Sequence, residues 1–342
     1  MHVKLLDHRH QLKHTFRISG SPDRDFVDVG ILRLEDSGIT AFGEASPSRV
    51  CKETMEDVHK GFAQIDLNKY ENPLDYETVI NGIKTEFDPP NALLAAIDMA
   101  LLDFAGKNAK KSVRSLLGIS SDRPVRTSFT IGIADLETIE KKVEEAGRFP
   151  ILKVKLGSAD DMEIVTRIRS LTDKLIRVDA NQGWHKEEAV EKINWLESQN
   201  VEFVEQPLPA QQIEETAWVR QRVKLPVIAD ESVKTGADIP GLAFAFDGIN
   251  IKLMKCGGLL EAMKMIRIAR ENNLRVMIGC MVESSLAISA GAQLLPLLDY
   301  ADLDGFELIS NDPFTGLSLN DGVISVNGKI GLGVKPQNAI FQ

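Results

Sequence analysis

Five charged residues, Lys155, Asp179, Glu205, Asp230 and Lys252, recur about 25 residues apart, the length of one strand, one helix and two short loops in a (β/α)8 barrel. Each lies at or near the end of a short apolar, β-branched run: residues 151–157, 175–179, 201–205, 226–230 and 248–252. Short apolar runs alternating with helical stretches predict βαβ units and a parallel sheet. In a barrel the carboxyl ends of such strands converge on one face, so the spacing by itself brings the five charges together.

The pleat of the strands supports the same arrangement, because successive side chains face opposite ways. Leu152, Val154 and Leu156 share one face while Lys153 and Lys155 share the other. Ile249, Ile251 and Leu253 likewise oppose Asn250 and Lys252, and Ala301, Leu303 and Gly305 oppose Asp302 and Asp304. The apolar face packs on the outer helices, which leaves the polar face inside the barrel. A lone charge there is costly. Converging charges of both signs, together with a cation, make that burial tolerable.

With 342 residues the chain has room for one barrel and a second domain of about a hundred residues. From His2 to about Glu44 the pattern is strand, loop, strand, with residues 26–34 alternating and Gly38 turning the chain back towards residues 40–44. Helical periodicity follows over 51–64, 76–87, 91–106 and 112–117. Strands followed by a run of helices describe an α+β unit outside the repeat. The loop at residues 120–125 separates it from eight expected strands, at 127–133, 151–156, 175–180, 201–205, 226–230, 248–253, 275–280 and 301–306. Residues 322–330 are expected to form a hairpin returning to the N-terminal unit. The expected fold is therefore α/β: a (β/α)7β-type modified TIM barrel over residues 123–310, an α+β capping domain over 1–122, and a C-terminal segment, 311–342, that completes the cap.

A formal charge of -10 argues against non-specific nucleic-acid binding, which needs a basic footprint. The richest apolar stretch, residues 92–105, is interrupted by Asp98 and Asp103 and predicts a buried helix, not a membrane span. Cys51, Cys256 and Cys280 have neither metal-ligand nor disulfide spacing and suit a reducing compartment. The N-terminus lacks the apolar core of a secretory signal, so the expected location is the cytoplasm.

Asp179, Glu205 and Asp230 are hard oxygen donors, suited to Mg²⁺ or Mn²⁺ and not to zinc. One ion on three carboxylates leaves room for a substrate carboxylate, whose extra negative charge it stabilises when a proton leaves the adjacent carbon to form an enediolate. A lysine on either side of the ion offers a base above and below the substrate plane. At an ordinary pKa near 10.4 a lysine is mostly protonated, so the value has to fall. Lys153, on the same strand face as Lys155, is expected to lower it by like-charge repulsion, and the cation adds to this. Removing the proton from one side and returning it from the other inverts a stereocentre. A Lys-x-Lys in a strand is more often a solvated face, and one acid at a strand end more often a cap. Five such residues at successive barrel-unit spacing rarely coincide.

The stretches around these residues read Lys153-Val-Lys155, Val178-Asp-Ala-Asn-Gln-Gly-Trp184, Val204-Glu-Gln-Pro207, Ala229-Asp-Glu-Ser232 and Asn250-Ile-Lys-Leu-Met-Lys-Cys-Gly-Gly258. With Gly43-Glu-Ala45 near the N-terminus, the chain resembles the enolase superfamily, in particular its muconate lactonizing enzyme subgroup. The resemblance implies one Mg²⁺ on Asp179, Glu205 and Asp230, replaceable by Mn²⁺, with Lys155 and Lys252 as the acid/base pair. Asp302-Leu-Asp304 is similar to the DxD motif of dipeptide epimerases: two carboxylates repel each other and call for a cation, which a dipeptide's α-ammonium provides. Similar placement implies that Thr130, Cys280 and Val282 line the pocket, the latter two through backbone groups, and that Lys153 meets the substrate carboxylate. The capping loop at residues 16–26, through Arg17 or Arg24, is expected to set side-chain preference. The expected activity is epimerisation of an L-Ala-L-Xaa-type dipeptide, a small-molecule partner, with no nucleic acid or membrane partner and with a homo-oligomer allowed. The rival is an N-acylamino acid racemase or o-succinylbenzoate synthase, whose substrates lack a free ammonium. A non-catalytic metal-binding barrel is the reading from another class, and the intact lysine pair speaks against it.

Overall fold

The computed structural model describes residues 1–17, 23–70, 72–326 and 330–337. The chain opens with an antiparallel sheet of β1 (His2–Phe16), β2 (Arg24–Asp36) and β3 (Ile39–Ala45) in that order, followed by α1 (Met55–Gln64), α2 (Tyr76–Phe87), α3 (Asn91–Ala109) and α4 (Val113–Leu116). Every residue of α3 from Ala92 to Gly106 is buried, because the helix lies between the sheet and the barrel. Gly43 on β3 lets the backbones meet: a Cβ there would stand 1.8 Å from the carbonyl oxygen of Ala96.

The two acids that interrupt the apolar run of α3 join the parts of the molecule. Asp98 accepts hydrogen bonds from the Leu259 and Leu260 backbone N–H groups at 2.6 and 3.3 Å, at the start of a barrel helix. Asp103 accepts from Phe42 N of the sheet at 3.1 Å and from Leu332 N of the C-terminal segment at 2.8 Å, and pairs with Lys107 at 2.7 Å. Burial of these carboxylates is tolerable because each is hydrogen-bonded.

The barrel strands are β4 (Phe129–Ile131), β5 (Ile151–Lys155), β6 (Leu175–Asp179), β7 (Val201–Glu205), β8 (Val227–Ala229), β9 (Gly248–Lys252), β10 (Arg275–Gly279) and β11 (Tyr300–Asp302), all parallel and hydrogen-bonded in chain order. A bridge between Thr127 and Ala301 closes the circle. The connections carry α5 (Leu136–Glu145), α6 (Asp161–Leu171), α7 (Lys186–Glu197), α8 (Ile213–Arg220), α9 (Leu253–Cys256) with α10 (Leu259–Glu271), and α11 (Ser285–Gln293). Between β8 and β9 there is only a 3₁₀ turn, Ile239–Gly241. Gly236, Pro240 and Gly241 break the helical run there, and Asp238 turns the chain by accepting from Lys234 N and Thr235 N. No helix among the described residues is long and apolar enough to cross a membrane.

Inside the barrel the alternation produces layers. Phe203, Ile228, Met277 and Tyr300 form an apolar floor, over which the Arg177 guanidinium lies 5.4 Å from the Phe203 ring and 5.2 Å from the Tyr300 ring. Two residues further along the same strands stand Asp179, Glu205, Asp230, Gly279 and Asp302, so the charged layer rests on a dry base.

After the barrel, β12 (Phe314–Thr315) pairs with β15 (Lys335–Pro336), and β13 (Leu317–Asn320) pairs with β14 (Val323–Val326). The hairpin expected at 322–330 is thus displaced towards the N-terminus and spans 317–326. Its turn is Asp321-Gly322, both at positive φ (49° and 72°), the conformation a two-residue hairpin loop prefers. Residues 327–329 of the expected hairpin lie outside the described residues. The hairpin packs at the amino ends of the barrel strands, away from the pocket, with Gly322 O accepting from Thr127 N at 2.8 Å. Leu332 also contacts the cap, as does Phe314, whose ring centroid lies 5.4 Å from that of Phe42.

Candidate active site

Asp179 closes β6, Glu205 closes β7, and Asp230 stands one residue beyond β8, so three adjacent strands deliver three carboxylates to one end of the barrel. All are buried, and one oxygen from each lies within 4.8 Å of the others. Lys155 ends β5 on one side of this group and Lys252 ends β9 on the other. β5 and β9 are four strands apart in a closed ring of eight, so the two ammonium groups face each other across the pocket from opposite walls.

The charges neutralise one another pairwise. Lys155 Nζ donates to Asp179 Oδ2 and Lys252 Nζ to Asp230 Oδ2, each at 2.6 Å. Burial works against charge on Asp179, but Lys155 and Lys153 outweigh it and hold its pKa at about 2. Asp230 is likewise pulled below the carboxylate range, against its burial, by Lys252 and Lys255. Glu205 goes the other way, up to about 7, through burial and the charge of Asp179. Lys252 is raised by Asp230 despite its own burial, so it reaches a basic form only when that pairing is given up.

Lys153 is enclosed by acids. Its side chain is 1% exposed and its Nζ lies 2.7 Å from Glu205 Oε2, 2.8 Å from Asp302 Oδ2 and 3.1 Å from Asp179 Oδ2. Burial opposes charge on Lys153, but the three carboxylates around it outweigh this and raise it well above the ordinary lysine range.

The eighth strand also ends earlier than expected, at Asp302. Asp304 sits in the turn before a 3₁₀ helix (Gly305–Glu307), so the two acids do not share a strand face. Both nevertheless line the pocket, with Thr130, Lys153, Cys280 and Val282. Asp302 accepts from Ser128 Oγ at 2.7 Å as well as from Lys153, and Asp304 accepts from Thr130 N at 2.6 Å. Burial and the neighbouring Asp302 push Asp304 up to about 7. Of the two arginines of the capping loop, Arg17 is exposed and paired with Asp23, whereas Arg24 lines the pocket beside Arg49. Residues 18–22 of that loop lie outside the described residues.

Three residues in or beside the site carried no clear signal in the sequence. Lys255, in the turn after β9, donates to Asp230 Oδ1 at 2.6 Å and to the carbonyls of Asp230, Val233 and Asn250, which fixes the Asp230 rotamer. Asn250 Nδ2 donates to Glu205 Oε1 at 2.7 Å. Glu231 lines the pocket, its Oε2 buried without a hydrogen bond, and is pushed up to about 7 by burial and by Asp230. Lys255 and Asn250 fall inside the stretch 250–258, where their spacing from Lys252 was the available signal; Glu231 had only its place next to Asp230.

The residues present fit a hard divalent cation. Three buried carboxylates within a few ångströms repel one another, and Glu205 Oε2 accepts no hydrogen bond, since the Lys153 ammonium beside it makes an ion pair without bonding geometry. An all-oxygen donor set of this kind suits Mg²⁺.

The family described as enolase C-terminal domain-like matches residues 135–340. The chain is 41% identical to the L-Ala-D/L-Glu epimerase of Bacteroides thetaiotaomicron over 95% of its own length and 85% of the relative's. In structure it is similar to a dipeptide epimerase from Cytophaga hutchinsonii complexed with Mg and the dipeptide D-Ala-L-Val (TM-score 0.91, 27% identity, 99% and 96% of the two chains covered). It is as similar to an N-succinyl Arg/Lys racemase from Bacillus cereus (TM-score 0.92, 27% identity, 98% and 95% covered). On the extent of these matches, the chain belongs to the enolase C-terminal domain-like family.

Proposed function

We propose that the protein is an isomerase, a Mg²⁺-dependent dipeptide epimerase that inverts the α-carbon of the C-terminal residue of an L-Ala-L-Xaa-type dipeptide. The observation that carries this is the opposition of Lys155 and Lys252 across a buried carboxylate triad, with a second pair of acids, Asp302 and Asp304, in the same pocket. Asp179, Glu205 and Asp230 would hold the ion, which supplies a Lewis acid for the substrate carboxylate and so offsets the charge that builds as the α-proton leaves. Lys155 and Lys252 reach the α-carbon from opposite faces, one taking the proton and the other returning one. To act as a base, either lysine must first give up the carboxylate oxygen it holds at 2.6 Å. Asp302 and Asp304 receive the substrate ammonium; Asp302 already pairs with the ammonium of Lys153, so the site is built for a cation.

Fold similarity does not separate this from the N-acylamino acid racemase, because a racemase of that kind is an equally close structural neighbour. The acid pair does, since an N-acyl substrate has no ammonium to place there. Within the dipeptide reading, the side chain at the epimerised residue is acidic. Arg24 and Arg49 lie together at the pocket wall, Arg24 lowered first by burial and then by Arg49, and no acidic side chain among the described residues pairs with either. The free cysteines agree with a cytoplasmic location.

The test is a dipeptide library incubated in D₂O with Mg²⁺ and read by mass spectrometry. The proposal expects one deuterium at the C-terminal residue's α-carbon, fastest for L-Ala-L-Glu; a library without any labelled dipeptide overturns it. Asp302→Asn should raise KM for dipeptides sharply. Labelling of N-acylamino acids left intact by that change would favour the rival.

A further inference from the structure

Residues 280–284 connect β10 to α11 and give the pocket Cys280, Met281 and Val282. This short piece of chain is held from the capping domain. Glu44 on β3, fully buried, accepts from Ser284 N at 3.0 Å and from Ser284 Oγ, and its Oε1 lies 3.2 Å from His10 Nε2. Ser284 is the N-cap of α11, where its Oγ accepts from Leu286 N, so the contact sits at a helix start, where a negative charge is favoured. Ser46, just past the end of β3, donates through Oγ to Val282 O at 3.0 Å and through its backbone N–H to Met254 Sδ at 3.3 Å, in the turn that follows Lys252. Ser46 itself lines the pocket.

A carboxylate with no solvent contact is expensive unless its oxygens are bonded, and packing alone would be served as well by an apolar side chain at this point. Glu44 joins Ser284 of the connection to His10 of the capping sheet, and Ser46 fixes a second residue of the connection two positions earlier. We propose that Glu44 and Ser46 are positioning residues for the substrate: the cap holds the main chain of residues 280–284 at the distance from Lys252 at which the backbone of Val282 meets the bound dipeptide. This rests on the dipeptide reading for the identity of the ligand, but the contact itself does not.

The test uses the full chain with Glu44→Gln, which keeps the shape and removes the charge, and with Ser46→Ala, which removes one hydroxyl and little volume. In both variants, hydrogen exchange of the peptide covering 280–286 should quicken by about tenfold while the barrel strands keep wild-type protection. KM for the preferred dipeptide should rise by about tenfold with kcat changed less than about threefold, the split expected when binding and not chemistry is disturbed. Unchanged exchange in both variants, or faster exchange with an unchanged KM, overturns the proposal. A wild-type enzyme that labels no dipeptide defeats the functional reading instead, and the exchange measurement then judges the loop contact alone.

Discussion

Replacing Lys153 by Met is the sharpest test of how the charged layer is held. The ammonium lies 2.7, 2.8 and 3.1 Å from oxygens of Glu205, Asp302 and Asp179, in a side chain that is 1% exposed. Methionine preserves most of the volume, so the packing term is small. What is lost is the cation itself, and removing one partner of a buried ion pair costs about 3–5 kcal/mol, a large share of the roughly 5–15 kcal/mol that holds a protein folded. Lys155 still pairs with Asp179 and Lys252 with Asp230, but Glu205 keeps only the amide of Asn250. Already pushed up to about 7, Glu205 rises further and can relieve the strain by taking up a proton. Urea unfolding in EDTA should therefore show the full loss at pH 8 and a smaller one at pH 6. Magnesium at a hundred times its Kd stabilises by about 2.7 kcal/mol through mass action. A loss below about 1 kcal/mol at pH 8, or one of equal size at both pH values, would refute the reasoning that Lys153 is the common counter-ion of three acids.

Lys155→Ala and Lys252→Ala should each abolish epimerisation followed by polarimetry or chiral chromatography, since a general base contributes about 10²–10⁴ in rate; full activity in either removes the two-base mechanism. Asp98 is pushed from 3.8 to about 7 by burial, so between those values the folded chain binds more protons than the unfolded one and stability falls as pH rises through the window. Asp98→Asn should flatten that slope in denaturation curves taken from pH 4 to 7, and an unaltered slope would clear Asp98 of it. Gly43→Ala places a Cβ 1.8 Å from a backbone oxygen of α3 and should cost about 3 kcal/mol or more, read as a lowered Tm; an unshifted Tm would show that sheet and helix can separate without penalty.

The strand positions, the barrel and the triad were legible because they rest on local properties. Strand pleat repeats every two residues and the βα unit about every 25, so residues 153, 155, 179, 205 and 252 could be assigned to one face from spacing and alternation. Where local signals were weak, structure departed from expectation. The eighth strand stops at Asp302, the link between β8 and β9 is a 3₁₀ turn, and the last hairpin turns at Asp321-Gly322.

Other features depended on which distant residues the closed barrel brings together. Lys153 anchors Asp302 as well as Glu205 and Asp179, because β11 comes beside β4 and β5 only once the ring closes. Lys255 locks Asp230 only because a helical turn after β9 folds it back over β8, and Glu44 reaches Ser284 only because the cap lies across the barrel's open end. The sequence by itself determined the kinds of charge and the strands that bear them, since period and alternation are properties of a single strand. Which charge pairs with which was decided by tertiary structure, since an ion pair depends on distances set by chain closure between residues far apart in the sequence.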